Sequence, residues 1–359
     1  MNYDIIAMIP AMTPPPGQTS NFDDPESMQT LVMVVAVSTM SLTLIVVTVR
    51  IYTKAVILSN MGIEDYFAIL AACGIVAWDS TFLHDSLKGA SRHFWDVRAI
   101  DVPYLAYMNY LGEILYAVTM WAAKCSIMLQ LKRIFCSGQS RDYIFWSIHG
   151  LLFVNTAYNT AALFSFIFQC SPREKAWNVL LEGQCINVAA AGVVSGAVNL
   201  FLDLGILVVP LLAICHLQMP LKRKIGTSAV FGVGILTCGI AVLGVVLRVP
   251  MLYDPDLSWI LTKVGIWTMV EYFGTIVIGC MPSFPRFFLY IRGEATPGLS
   301  VSGPKASTGK TLADSWPSAP RKIKQFGDEE VGVAITTDDA SFMELEHVRK
   351  NQNMYLHNT

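Results

Sequence analysis

Charge is scarce in this sequence: Asp, Glu, Lys and Arg make up 14% of its 359 residues. Soluble domains carry about a quarter, because their surfaces must be wetted. The mean hydropathy of +0.49 argues against an ordinary water-soluble globule in the same way. A net charge of −2 supplies no overall field for phosphate, so nucleic acid is excluded as a partner. The 53% apolar content excludes a disordered chain. Cysteine is also sparse: the eight are scattered without a Cys-x-x-Cys pair, which excludes a disulfide scaffold. No Gly-rich phosphate loop, His-Glu-x-x-His or Gly-x-Ser-x-Gly occurs, so the common signatures of nucleotide, zinc-protease and serine-hydrolase chemistry are missing.

What is present is long apolar runs. Seven stretches, at roughly 30–50, 64–84, 104–131, 143–168, 188–215, 226–249 and 259–282, are each about 20 residues or more. At about 1.5 Å per residue, each can cross a ~30 Å hydrocarbon layer. In lipid they must be helices, since every backbone polar group has to be satisfied within the segment. The expectation is an all-α membrane protein, a bundle of seven transmembrane helices over 30–290. Residues 1–29, with four acids, no Lys or Arg, and Pro14-Pro15-Pro16-Gly17, read as a flexible extracellular arm. It lacks the basic start and apolar run of a cleaved signal peptide. Residues 291–359, rich in Gly, Pro, Ser and charge, read as a disordered cytosolic tail.

The basic residues predict the orientation. Arg50, Lys54, Lys132, Arg133, Arg141, Lys222, Arg223, Lys224, Arg286 and Arg292 fall at one membrane face. Lys88, Arg92, Arg98, Arg173 and Lys175 fall at the other, ten against five. That places the amino terminus outside and the tail inside, in a multi-pass protein of the plasma membrane. Cys170 and Cys185 then share an outer loop. Closing a ~15-residue ring there would stabilise by on the order of 3 kcal/mol; the alternative is two free thiols. The remaining membrane cysteines, Cys73, Cys125, Cys238 and Cys280, read as small packing residues.

Ionisable groups inside such helices cost several kcal/mol unless paired or hydrated, so each is a candidate site. Asp79 and Glu113 lie in the outer half, with Trp78, Tyr110 and Tyr116 close by in sequence, and could line one cavity. The other reading has Asp79 ending a short helix and facing water. Deeper lie Lys124, Asn199, Asp203 and Glu271. Asn199 and Asp203 are four apart, hence on one helix face. A Lys124–Asp203 or Lys124–Glu271 pair would neutralise charge and pin helices together as a structural network, with no catalytic role. Alternatively, the Lys124 stem could snorkel to the inner interface. No cofactor is expected: retinal needs a lysine near the middle of the seventh helix, where this chain has Glu271 and only the peripheral Lys263. His84, Asp85, His93 and Asp96 are too loosely spaced to predict a metal site. Pro210, Pro250, Pro282 and Pro285 can kink or end helices.

Several motifs, in order, resemble the fungal rhodopsin-domain integral membrane proteins. They begin with Arg50-x-Tyr52-x-Lys54 and Gly62-Ile63-Glu64-Asp65-Tyr66. Arg92-His93-x-Trp95-Asp96-Val97, Gly112-Glu113-Ile114-Leu115-Tyr116, Lys124-x-Ser126-Ile127 and Arg133-Ile134-Phe135 follow. Cys170-Ser171-Pro172, Trp177 and Gly183-x-Cys185 come next, then Asn199, Asp203, Pro210 and Leu217-Gln218-Met219-Pro220. Lys222-Arg223-Lys224-Ile225-Gly226, Glu271 and Cys280-Met281-Pro282 complete the series. The resemblance covers about residues 34–290. It implies a seven-helix membrane protein of a filamentous fungus, despite a family name that suggests light. The family includes receptor-like proteins that sense host surfaces and membrane proteins of secondary-metabolite clusters. Its surface sensors often carry a cysteine-rich module before the first helix, and residues 1–29 hold no cysteine. The usual Gly-x-Asp-Asp-Tyr is here Gly-x-Glu-Asp-Tyr.

Two functions follow as expectations. The first is a non-enzymatic, receptor-like protein that takes a small or lipidic molecule in the outer half of the bundle and meets a cytosolic signalling partner. The receptor sequences Asp-Arg-Tyr and Asn-Pro-x-x-Tyr are absent, and Lys132-Arg133-Ile134 and Pro282-Ser283-Phe284-Pro285 stand in comparable places. The second is a membrane-bound accessory protein or enzyme of a secondary-metabolite cluster. Its possible acids would be Asp79, Glu113 or Glu271, protonating a hydrophobic substrate such as an isoprenoid. A transporter is weaker, since the sequence shows no internal repeat.

Overall fold

The computed structural model describes residues 9–136, 143–178, 180–216 and 221–293; over 210, 212–216 and 221–231 it describes the backbone alone. Seven helices are long and apolar enough to cross a membrane. They are α1 (Gln29–Tyr52), α2 (Ile63–Asp85), α3 (Val102–Phe135), α4 (Tyr143–Ile167), α5 (Val188–His216), α6 (Leu221–Arg248) and α7 (Leu257–Cys280). A short helix, α8 (Phe284–Ile291), follows. The expected stretches and the observed helices agree within a few residues. The main difference is that α3 and α1 run on past their apolar runs, α1 by a wider turn over Thr53–Ile57.

Local chemistry sets the ends. Asp65 Oδ2 accepts the Gly62 N–H at 2.9 Å, satisfying a donor at the start of α2. Pro103 opens α3, where a missing N–H costs nothing. Pro282 and Pro285 mark the break between α7 and α8.

The helices form a closed ring in chain order, each packed on the next and α7 back on α1, while α3 also touches α5 and α7. One core cluster lies between α1, α2, α3 and α7 and is built on Val32, Ala36, Ala71, Ile75, Met120, Ala123, Met269 and Tyr272. Its small residues let helix backbones approach closely. A second, of Ile127, Met128, Ile148, Ile206 and Val209, joins α3, α4 and α5. Outward faces are apolar: Phe153, Phe201, Ile235 and Ile45 are all well exposed. Such faces are stable only against hydrocarbon.

At one end, β1 (Cys170–Ser171) pairs antiparallel with β2 (Gln184–Cys185), and Cys170 and Cys185 are joined by a disulfide. Residues 86–101, 168–178, 180–187 and 249–256 gather at this disulfide end. Residues 9–28, expected as a flexible arm, are tied to the loop after α2. Ala11 N–H donates to Val97 O at 2.8 Å, Asn21 N–H to Asp96 Oδ1 at 2.8 Å, and Met28 N–H to Ser91 O at 3.0 Å. The expected tail falls almost wholly on 294–359, outside the described residues.

Candidate functional site

The middle of the bundle holds a polar network. Lys124 on α3 is fully buried; its Nζ lies 2.8 Å from Asp203 Oδ1 and donates to Asn199 O at 2.8 Å. Asn199 and Asp203 share one face of α5, and the Asn199 amide donates to the Glu271 carboxylate on α7. Lys124 therefore does not snorkel: α3 continues about three turns beyond it, and an acid within 3 Å holds the ammonium in place. Of the two partners offered by the sequence, Asp203 is the one in contact.

Asp79 is also fully buried, and its Oδ2 accepts from Thr39 Oγ1 at 2.8 Å. It neither ends α2, which runs on to Asp85, nor faces water. Nor does it share a cavity with Glu113: Thr39 turns its carboxylate towards α1. The sequence could not show this, because it depends on which face of α2 meets α1.

Glu113 does line a cavity, of about 200 Å³, at the disulfide end, walled by residues of α2 to α7. Its apolar wall includes Trp78, Phe82, Met108, Phe166 and Leu261. Trp78 and Phe82 stack at 5.1 Å between ring centres, and the Trp78 indole N–H donates to Gly112 O at 3.1 Å. Polar side chains interrupt the apolar surface, among them Asp85, Glu113, Tyr116 and Arg248. Glu113 Oε1 accepts from Asn109 at 3.2 Å, while its Oε2, Asp85 Oδ1 and the Tyr116 hydroxyl have no partner among the described residues. Tyr110, expected beside the cavity, instead donates to Ile167 O at 3.2 Å.

The loops over the cavity are tied by chemistry that sequence reading left unassigned. The His93 ring stacks between Trp95 and Trp259, at 4.3 and 4.0 Å. Its Nδ1 hydrogen-bonds Asp256 at 2.6 Å, and the Phe94 N–H donates to the same carboxylate at 2.9 Å. Ser258 and Thr262 both donate to Ala90 O, joining α7 to the end of the second span. Of the four residues weighed as metal ligands, His93 goes to Asp256, Asp96 accepts from the Asn21 N–H, His84 packs edge-on against Tyr104, and Asp85 lines the cavity. Among the described residues, no group of three or more His, Cys, Asp or Glu side chains could hold a metal ion.

The end opposite the disulfide contains a cluster that sequence reading missed. Arg50 is fully buried, 2.9 Å from Asp65, and donates also to Gln130 and to Gly279 O. Glu64 pairs with Lys54 at 3.5 Å and with Arg133, while Ser126 donates to Glu64 O at 2.7 Å. The sequence offers Arg50 only as one of the cations at a membrane face, although it ends an apolar run and faces two acids across a short connection. That spacing was the available signal. Arg248 and Asp256 were missed for the same reason, as charges at helix ends.

The fungal rhodopsin domain family model matches residues 49–289. The chain is 31% identical to a SAT4 family membrane protein of Emericella nidulans over 71% of this chain and 62% of that protein. The match therefore spans less than two thirds of that relative's length. It is 27% identical to fugralins biosynthesis cluster protein 2 of Gibberella zeae, over 77% of this chain and 70% of that one. It is 19% identical to wortmanamides biosynthesis cluster protein C of Talaromyces wortmannii, over 68% and 66% respectively. No solved structure matches the chain. With seven membrane-crossing helices in place and the family model covering the bundle from the end of α1 through most of α8, the chain belongs to the fungal rhodopsin domain family.

Proposed function

We propose that this protein is a receptor-like, non-enzymatic membrane protein that takes a small amphipathic molecule into the cavity at the disulfide end. That end faces the exterior of the plasma membrane, in line with the distribution of Lys and Arg. The observation that carries the reading is the pairing of an apolar cavity wall with polar atoms that lack a partner among the described residues, Asp85 Oδ1, Glu113 Oε2 and the Tyr116 hydroxyl. A few convergent polar groups in an apolar pocket are what orient a bound ligand. The Lys124–Asp203 network beneath has its hydrogen bonds filled from within the bundle, which suits a structural role. The test is ligand-induced change in Trp fluorescence or thermal stability of the purified chain, screened with lipophilic small molecules. A Gly192→Leu variant, filling the cavity wall on α5, should abolish any response. A response that survives it places the ligand elsewhere.

A second reading is favoured by the relatives whose names assign them to the fugralins and wortmanamides biosynthesis clusters. On it, the same cavity holds a pathway intermediate, and Glu113 is its candidate acid. Gene deletion with metabolite profiling separates the two. Loss of one product with build-up of a discrete precursor supports the pathway role. Intact chemistry with an altered transcriptional response supports the receptor.

A further inference from the structure

Arg248 closes the last turn of α6 and lines the cavity, with 7% of its surface exposed. Its Nη2 donates to Thr268 Oγ1 at 3.3 Å, and the guanidinium carbon lies 6.0 Å from the centre of the Tyr116 ring. Among the described residues, no carboxylate lies within 4.0 Å of it. Other basic side chains of the bundle differ: Arg50, Lys54, Lys124 and Arg133 each have an acid in contact. Glu271 lies one turn from Thr268 and feels the guanidinium charge, but it accepts from Asn199 and makes no ion pair with Arg248.

Two glycines make room for this side chain. A methyl group at Gly196 on α5 would stand 3.3 Å from Nη1, and one at Gly244 would stand 3.1 Å from it. The guanidinium is thus seated against α5 and α6, and Thr268 is its one described acceptor. A guanidinium does not lose its proton in a protein, whereas a carboxyl group can gain one. The charge on Arg248 is therefore permanent, while Asp85 and Glu113 can become neutral hydrogen-bonding groups. The carbonyl end of α6 offsets part of that charge. A permanent charge inside a membrane bundle still calls for an anion or water beside it.

The geometry points to an anionic amphiphile as the occupant of this cavity, its acid group on Arg248 and its apolar body against Trp78, Phe82 and Phe166. This rests on the ligand-binding reading of the cavity and names the class of ligand. The acid group is the carboxylate of a free lipophilic acid or the phosphate of a bilayer lipid; both suit a guanidinium fork.

The test uses the full chain in phosphatidylcholine nanodiscs, with empty discs as the blank, and radiolabelled decanoic acid, decanol and decylamine at neutral pH. Decanoate should bind at least about tenfold more tightly than the alcohol or amine, the scale of a charge-assisted contact. Arg248→Met should remove that preference, and Arg248→Lys should keep part of it. Displacement of decanoate when phosphatidylglycerol replaces phosphatidylcholine supports the inference and assigns the anion to the bilayer. Equal binding of all three probes overturns the anion but leaves the ligand site standing. Binding of none overturns both. If Arg248→Met fails to fold, the ranking on the unaltered chain decides.

Discussion

Arg50 on α1 and Asp65 on α2 form an ion pair 2.9 Å long with neither side chain exposed. Gln130 of α3 and the Gly279 carbonyl of α7 complete the shell of Arg50, so four helices meet at one guanidinium.

Breaking that pair from one side leaves an uncompensated buried charge, which costs about 3–5 kcal/mol. Arg50→Met and Asp65→Leu should each lower the thermal midpoint of the purified protein sharply. The double variant should be more stable than either single one. If the double variant is simply the sum of the two, the pair is not a coupled unit.

Asn199 is the donor that holds the Glu271 carboxylate. Asn199→Leu should cost about 1–3 kcal/mol, because an acceptor is stranded away from water. Glu271→Gln keeps an acceptor oxygen facing Asn199 and should cost less. Thermal unfolding followed by tryptophan fluorescence ranks them, and the reverse order would place Glu271 in some other contact.

The Cys170–Cys185 disulfide closes a loop with a separation of 15 residues. Cys170→Ser should destabilise by about 3 kcal/mol on the chain-entropy account. Reductant should reproduce that loss in the unaltered protein and add nothing to the Cys170→Ser/Cys185→Ser double variant. A further loss in the double variant would point to a second reducible contact.

Gly183 and Gly150 should respond oppositely to alanine. A methyl at Gly183 would stand 2.4 Å from the Ser171 carbonyl oxygen, a backbone atom that cannot swing aside. Gly183→Ala should therefore cost about 1–3 kcal/mol in strain. Gly150 lies inside α4 with nothing within 4 Å of that position, so alanine there should stabilise by about 0.5–1 kcal/mol through helix propensity. Equal effects at the two sites would mean that the loop around Gly183 yields.

The candidate site was legible in part. Lys124, Asn199, Asp203 and Glu271 stood out because ionisable and amide groups in an apolar run must find partners, and they found one another. Glu113 was singled out on the same ground, and it lines the cavity. Asp79 was grouped with Glu113 by depth alone, but depth does not reveal the face of a helix, and Thr39 claims Asp79 from the far side. The sequence offers Asp85 only as a loosely spaced metal ligand and gives no sign of Arg248 as a site residue, because both sit at helix ends, where a charge ordinarily reaches water. Here loops 86–101 and 249–256 close over that end, and both side chains are buried.

Composition and order along the chain determined the solvent and the number of crossings, because each depends on local runs; they placed Cys170 and Cys185 in one short loop, and the structure joined them. The tertiary structure alone decided which charges meet: Arg50 with Asp65, Lys124 with Asp203, and Arg248 with no acid within 4.0 Å among the described residues. The physical reason is that hydrophobicity is a property of a segment, whereas an ion pair depends on the rotation and depth of two helices relative to each other. Seven apolar helices could be ringed with other rotations at little cost in burial. The polar contacts between them select one.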